Sequence, residues 1–122
     1  MKLHLTTAEN NQLITGYGEN YIEINRQRHA QSLIVMPQML ILDWHAIALE
    51  GLAEAHFVQI AELKPELVLL GTGEKHQFLH PKTYQHLTAL DIPLECMNTA
   101  AACRTYNILM SEGRNVAAAL IL

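Results

Sequence analysis

The chain has 122 residues, 50% of them hydrophobic and only 16% charged. This excludes a disordered protein and fits one domain, 1–122, that buries a core without metal or disulfide staples. Eight Lys and Arg against twelve Asp and Glu leave a net charge of −4, and no basic cluster exceeds Arg26-Gln27-Arg28-His29, so no nucleic-acid partner is expected. No window approaches the roughly 18 apolar residues of a membrane span. Met1–Asn10 has neither the apolar run of a secretory signal nor the Arg-rich character of an organellar leader, so a cytoplasmic protein is expected. Cys96 and Cys103 form no C-x-x-C and are expected to be reduced.

Tyr21-Ile22-Glu23-Ile24-Asn25 alternates apolar and polar residues at period two, and a polar turn from Arg26 to Gln31 leads into Ser32-Leu33-Ile34-Val35-Met36, bounded by Pro37. The two runs are predicted to pair as antiparallel strands. Met39 to Trp44 is a third β candidate whose apolar run predicts burial on both faces. From Leu52 the period changes: Leu52, Ala55, Phe57, Val58, Ile60, Ala61 and Leu63 fall broadly on one helical face until Lys64-Pro65 ends the helix.

Glu66 to Leu70 predicts a buried strand of a parallel sheet, stopping at Gly71-Thr72-Gly73, where glycine's conformational freedom is needed. Lys82 to Leu90 predicts a second helix behind Pro81, and Leu94 to Met97 a short strand. Asn98 or Thr99 is placed to cap a helix over Ala100–Glu112, with Gly113 at its C-terminal end and a closing strand over Val116–Leu122, central in the sheet. Alternation of strand and helix with short links predicts right-handed crossovers over a largely central sheet, preceded by a β-rich N-terminal section.

Three groups of residues can carry chemistry. Gly71-Thr72-Gly73-Glu74-Lys75 follows a buried strand, where backbone N–H groups of α/β proteins converge on ligands; it matches neither G-x-x-x-x-G-K-[ST] nor G-x-G-x-x-G, and a plain tight turn is the alternative. His76 and His80 stand four apart, but Pro81 opposes the helix that metal binding would need, so no metal site is expected. On the Ala100 helix, Ala102, Cys103, Tyr106, Leu109 and Met110 share one face, which makes Cys103 a core residue. Arg104, Asn107 and Ser111 share the other, where a guanidinium could meet a carboxylate, a phosphate or an acidic partner, or simply face solvent. Arg114 either caps helix carbonyls or pairs with a carboxylate.

Pro65–Gly73, Thr99–Asn107 and Glu112–Leu120, together with Gly16-Tyr17-Gly18, Ser32–Val35, Pro37 and Trp44, follow the order and spacing of a known family's signature blocks. The chain resembles the small single-domain family that includes mitochondrial NADH:ubiquinone oxidoreductase complex assembly factor three and the adipogenesis-associated domain proteins. The resemblance implies a three-layer α/β fold with a mixed central sheet, helices covering it and additional N-terminal β structure. It also implies action through protein contacts, at a surface mapping onto Gly71, Thr72, Gly73, Thr99, Arg104 and Asn107. It carries over no catalytic residue and no cofactor.

Two functions stay open. One is a non-catalytic interaction or assembly-type factor whose partners include subunits of a membrane-associated respiratory complex. The other is a small-molecule or anion-binding protein, or an enzyme, using the Gly71–Gly73 loop, the helix N-terminus at Ala100 and Arg104. The apolar excess is compatible with a homo-oligomer in either case.

Overall fold

A computed structural model describes residues 11–122; the leader-free reading of Met1–Asn10 lies outside the described residues. Two sheets form. The smaller is antiparallel, β1 (Ile14–Gly18), β2 (Tyr21–Ile24) and β3 (Gln27–His29) in that order. The larger is mixed, with strand order β5 (Met39–Ile41), β4 (Leu33–Met36), β8 (Val116–Leu120), β6 (Leu67–Gly71), β7 (Leu94–Met97). β6 runs parallel to both neighbours, and β4 is antiparallel to β5 and β8.

The predicted pairing of Tyr21–Asn25 with Ser32–Met36 does not occur, because the two runs belong to different sheets. Asn25 and Arg26 both take positive φ (49° and 73°). A two-residue turn with both central residues left-handed folds β2 straight back onto β3, inside the stretch read as a polar turn. Met39–Trp44 is corrected as well. Its strand ends at Ile41 and forms an open sheet edge, leaving Met39 and Leu42 exposed, while Trp44 enters the core from the following loop.

Period-two alternation along the central strands divides the interior into two cores. On one face, Ile34 and Met36 of β4, Val68 and Leu70 of β6, and Ala117 and Ala119 of β8 meet α1 (Glu54–Ala61), Leu87 of α2 (Gln85–Ala89) and Trp44. On the other, Leu33, Val35, Leu67, Leu69, Val116, Ala118 and Leu120 meet α3 (Thr99–Ser111) and the isoleucines Ile14, Ile22 and Ile24 of the small sheet. The result is three layers, with β8 buried along its whole length as expected for a central strand.

The helix predicted from Leu52 begins after Ala53, whose N–H donates to His56 Nδ1, so a histidine side chain serves as the cap acceptor. It buries Phe57, Ile60 and Ala61 and leaves Ala55 exposed. Lys64, at φ 56°, turns the chain out of it. The second predicted helix is shorter than expected, a 3-10 turn over Pro81–Tyr84 followed by α2. α3 matches its expectation closely: Asn98 Oδ1 accepts from the Ala101 N–H (2.7 Å), and Gly113 takes the left-handed conformation (φ 84°) after its end. Arg114 Nε donates to Glu66 (2.8 Å), and the Asn115 N–H donates to the same carboxylate (2.9 Å), which ties the turn before β8 to the start of β6 and holds the Glu66 carboxyl below its ordinary range.

Cys103 is wholly buried on α3, and burial pushes its thiol up to about 12, with the neighbouring Arg104 charge only partly opposing this. Cys96 is half-buried and also raised, chiefly by burial. Brief iodoacetamide treatment of the native protein near neutral pH is therefore expected to leave Cys103 unmodified until the protein is denatured. Peptide mass spectrometry reads this, and rapid native labelling of Cys103 would contradict the buried placement.

Candidate functional site

At the carboxyl ends of β6 and β7 the chain departs to opposite faces of the sheet, the connection from β6 through α2 to β7 packing on one core and the connection from β7 through α3 to β8 on the other. Gly71 stands opposite both Met97 and Leu120. A Cβ there would lie 2.9 Å from Thr99 Oγ1 and 3.0 Å from both Thr99 Cα and Leu120 Cδ2, so only glycine lets the first residue of α3 sit directly on the strand. Thr99 uses that proximity. Its Oγ1 accepts from the Gly73 N–H (2.8 Å) and donates to the Ile121 carbonyl (2.6 Å), while its own N–H donates to the Gly73 carbonyl (2.8 Å). Gly73 takes φ 102°, a conformation that disfavours a side chain.

Thr72 is buried and belongs to the same lock. Its N–H donates to the Met97 carbonyl (2.8 Å), and its Oγ1 donates to the Lys75 carbonyl (2.6 Å) and accepts from the Gln77 N–H (3.2 Å). Thr72 therefore shapes the loop from within. The fold thus brings Gly71, Thr72, Gly73 and Thr99 into one hydrogen-bonded cluster joining the ends of β6, β7 and β8 to the start of α3.

Above this cluster opens a cleft of about 350 Å³. Gly73 and Glu74 form one side and Thr99 and Ala100 another, with Leu122 beside them. The β1–β2 hairpin closes it with Tyr17, Gly18 and Glu19. Two side chains named from the sequence reach this wall indirectly. Arg104 is exposed, one turn into α3, and its Nη1 donates to Tyr17 Oη (2.9 Å). Asn107, a further turn along, accepts from the Ile14 N–H at Oδ1 (3.0 Å) and donates from Nδ2 to the Ile14 carbonyl (2.8 Å). Its amide thus pairs with the edge of β1 that faces no other strand among the described residues, as a neighbouring strand would. Arg104 and Asn107 set the position of the hairpin, and Tyr17 and Glu19 present the surface.

Neither Tyr17 nor Glu19 follows from sequence periodicity, because their approach to α3 depends on docking one sheet across another. For the hairpin the sequence offers the alternation of Tyr21–Asn25, which marks its second strand, and the block Gly16-Tyr17-Gly18. The histidine pair is used elsewhere: His76 lies against Phe78, with ring centroids 4.6 Å apart and the planes tilted by 54°, and His80 Nδ1 accepts from the Lys82 N–H. Among the described residues, no group of three or more His, Cys, Asp or Glu could hold a metal ion.

The family described as "Protein of unknown function (DUF498/DUF598)" matches residues 14–121, which takes in both sheets, all three helices and every residue of the cleft but Leu122. The chain belongs to this family. A mouse member, "NADH dehydrogenase [ubiquinone] 1 alpha subcomplex assembly factor 3", is 33% identical over 110 residues, covering 88% of this chain and 59% of the mouse protein. A Francisella tularensis relative described as a "13 kDa major membrane protein" is 34% identical over 74 residues, 60% of this chain and 59% of that protein. The chain thus spans about 59% of the length of these relatives. A crystal structure from Bordetella parapertussis superposes with a TM-score of 0.86 at 37% identity, covering 91% of this chain and 95% of that one. That structure therefore shares the three-layer arrangement of this chain.

Proposed function

We propose that this DUF498 chain is a non-catalytic, assembly-type factor that works in the cytoplasm and holds a protein partner at the cleft between the β1–β2 hairpin and the start of α3, the partner belonging to a membrane-associated respiratory complex. The observation that carries the reading is the 33% identity, over 88% of the chain, to a protein named as an assembly factor of NADH dehydrogenase. The cleft supports it: Tyr17 offers an amphipathic contact, Ala100 and Leu122 an apolar one, and Glu19 and Glu74 the charge that selects a partner. Gly71, Thr72, Thr99, Arg104 and Asn107 hold that surface in place.

The direct test is a tagged pull-down at native expression from gently solubilised cells, read by mass spectrometry against an untagged control. A defined set of respiratory subunits is the expected recovery, and recovery of the chain alone would count against the proposal. Arg104→Ala frees Tyr17 without touching the core and is expected to lower partner recovery several-fold. Unchanged recovery would remove the Arg104–Tyr17 contact from the interface.

A second reading is favoured by the cleft's volume of about 350 Å³ at the carboxyl ends of the parallel strands, where α/β proteins bind small molecules. With Glu19 and Glu74 at the rim, a cationic or neutral ligand suits the opening better than an anion. A thermal-shift screen of amines, nucleosides and carboxylates tests it, because a ligand bound only by the native state raises the melting temperature.

A further inference from the structure

We propose that the loop between β6 and α2 is a membrane-surface contact, in which Phe78 enters the interfacial layer and the cations around it meet anionic lipid headgroups. From Lys75 to Lys82 the chain reads Lys-His-Gln-Phe-Leu-His-Pro-Lys, two lysines and two histidines without an acidic residue, in a protein of net charge −4; the exposed Glu74 stands directly before this run. Lys75, His76, His80 and Lys82 are all exposed.

The loop is held at both ends. Thr72 Oγ1 bonds the Lys75 carbonyl and the Gln77 N–H at one end; at the other, His80 accepts from the Lys82 N–H at Nδ1 and from the Thr83 N–H at its carbonyl. Between these clamps Leu79 packs against the core while the adjacent Phe78 stands 83% exposed, its ring resting on His76. A lone exposed apolar side chain needs no explanation. An aromatic ring displayed on a clamped loop with lysines on both sides is the pattern that a basic interfacial contact requires, since apolar insertion and headgroup attraction act together.

A second apolar tip lies at the same end of the central sheet. Ile47, 89% exposed, borders a cleft that shares Leu122 with the one beside Gly73. A fluid anionic surface accepts such protruding tips without a matching socket, which a protein partner would have to supply. The inference goes beyond the assembly reading, and its residues Lys75, Phe78 and Lys82 lie outside the lining of the cleft.

Vesicle flotation at low ionic strength tests it, with pure phosphatidylglycerol against pure phosphatidylcholine and with wild type, Phe78→Ala and Lys75→Ala/Lys82→Ala compared. Wild type is expected to float with phosphatidylglycerol and not with phosphatidylcholine, and to be released by high salt. Loss of each lysine is expected to lower partitioning about fivefold, and loss of Phe78 about tenfold. These side chains are exposed, so unchanged melting temperatures will show that the variants fold. The proposal is overturned if wild type fails to float with phosphatidylglycerol, if it floats equally with both lipids, or if the folded variants float like wild type. A loop that instead captures an acidic soluble protein would give the first of these results.

Discussion

Gly71→Val is expected to lower the melting temperature by on the order of 10 °C. Even a bare Cβ at this position would meet Thr99 Oγ1 at 2.9 Å and Thr99 Cα at 3.0 Å. Neither can yield cheaply. The hydroxyl is committed to the Gly73 N–H and the Ile121 carbonyl, and the Cα belongs to the first turn of α3. Overpacking of this kind costs about 3 kcal/mol, and a domain of this size loses roughly 4 °C per kcal/mol. The damage falls on the junction that forms the floor of the cleft, so partner recovery is expected to fall with stability. Thermal unfolding followed by circular dichroism checks the first part. A shift of only a degree or two would mean that α3 does not sit directly on β6.

Asn107→Leu is expected to destabilise by about 3 kcal/mol. The Asn107 amide serves the N–H and the carbonyl of Ile14, a residue only 5% exposed, along the edge of β1 that has no strand beside it among the described residues. Leucine fills similar space and pairs with neither group, leaving both without a partner where water has little access. The small sheet keeps its apolar contacts through Ile14, Ile22 and Ile24. Local loosening of the hairpin should therefore precede global unfolding. Hydrogen exchange should show faster exchange in β1 and β2, with little change in β6 and β8. Uniform acceleration, or none, would contradict the edge-completing role given to Asn107.

The parts of this fold that were legible in the sequence are those set by local chemistry. α3 was readable from Asn98, the apolar face ending in Met110, and Gly113; β6 and β8 were readable from apolar runs bounded by turn residues. The failures have equally definite causes. The turn after β2 uses Asn25 and Arg26 with positive φ at both positions, and arginine is not a residue that announces such a turn, so β3 was hidden in an apparently polar linker. Met39–Leu42 has the composition of a buried strand at an edge position, and composition does not encode strand order.

The site divides along the same line. Gly71, Thr72, Gly73 and Thr99 come together because the end of a parallel strand and the start of a helix, both legible in the sequence, meet in space. Arg104 and Asn107 were found as polar residues on one helical face. What they touch was not readable, because Tyr17 and Ile14 approach from a separate sheet, 87 and 93 positions earlier in the chain. Glu19 and Leu122 carried no local signal at all.

The central claim is that the cleft between the hairpin and α3 is where the partner is held. The most direct measurement is quantitative pull-down of the tagged wild type beside a Glu19→Lys/Ala100→Gln variant, which reverses one charge at the rim and fills the cleft beside Thr99. Both substitutions avoid the buried cores, so equal melting temperatures are expected. A defined set of respiratory subunits is expected with the wild type, and a drop of about tenfold or more with the variant. Equal recovery of the same subunits by both would contradict the claim and move the contact to another face of the protein.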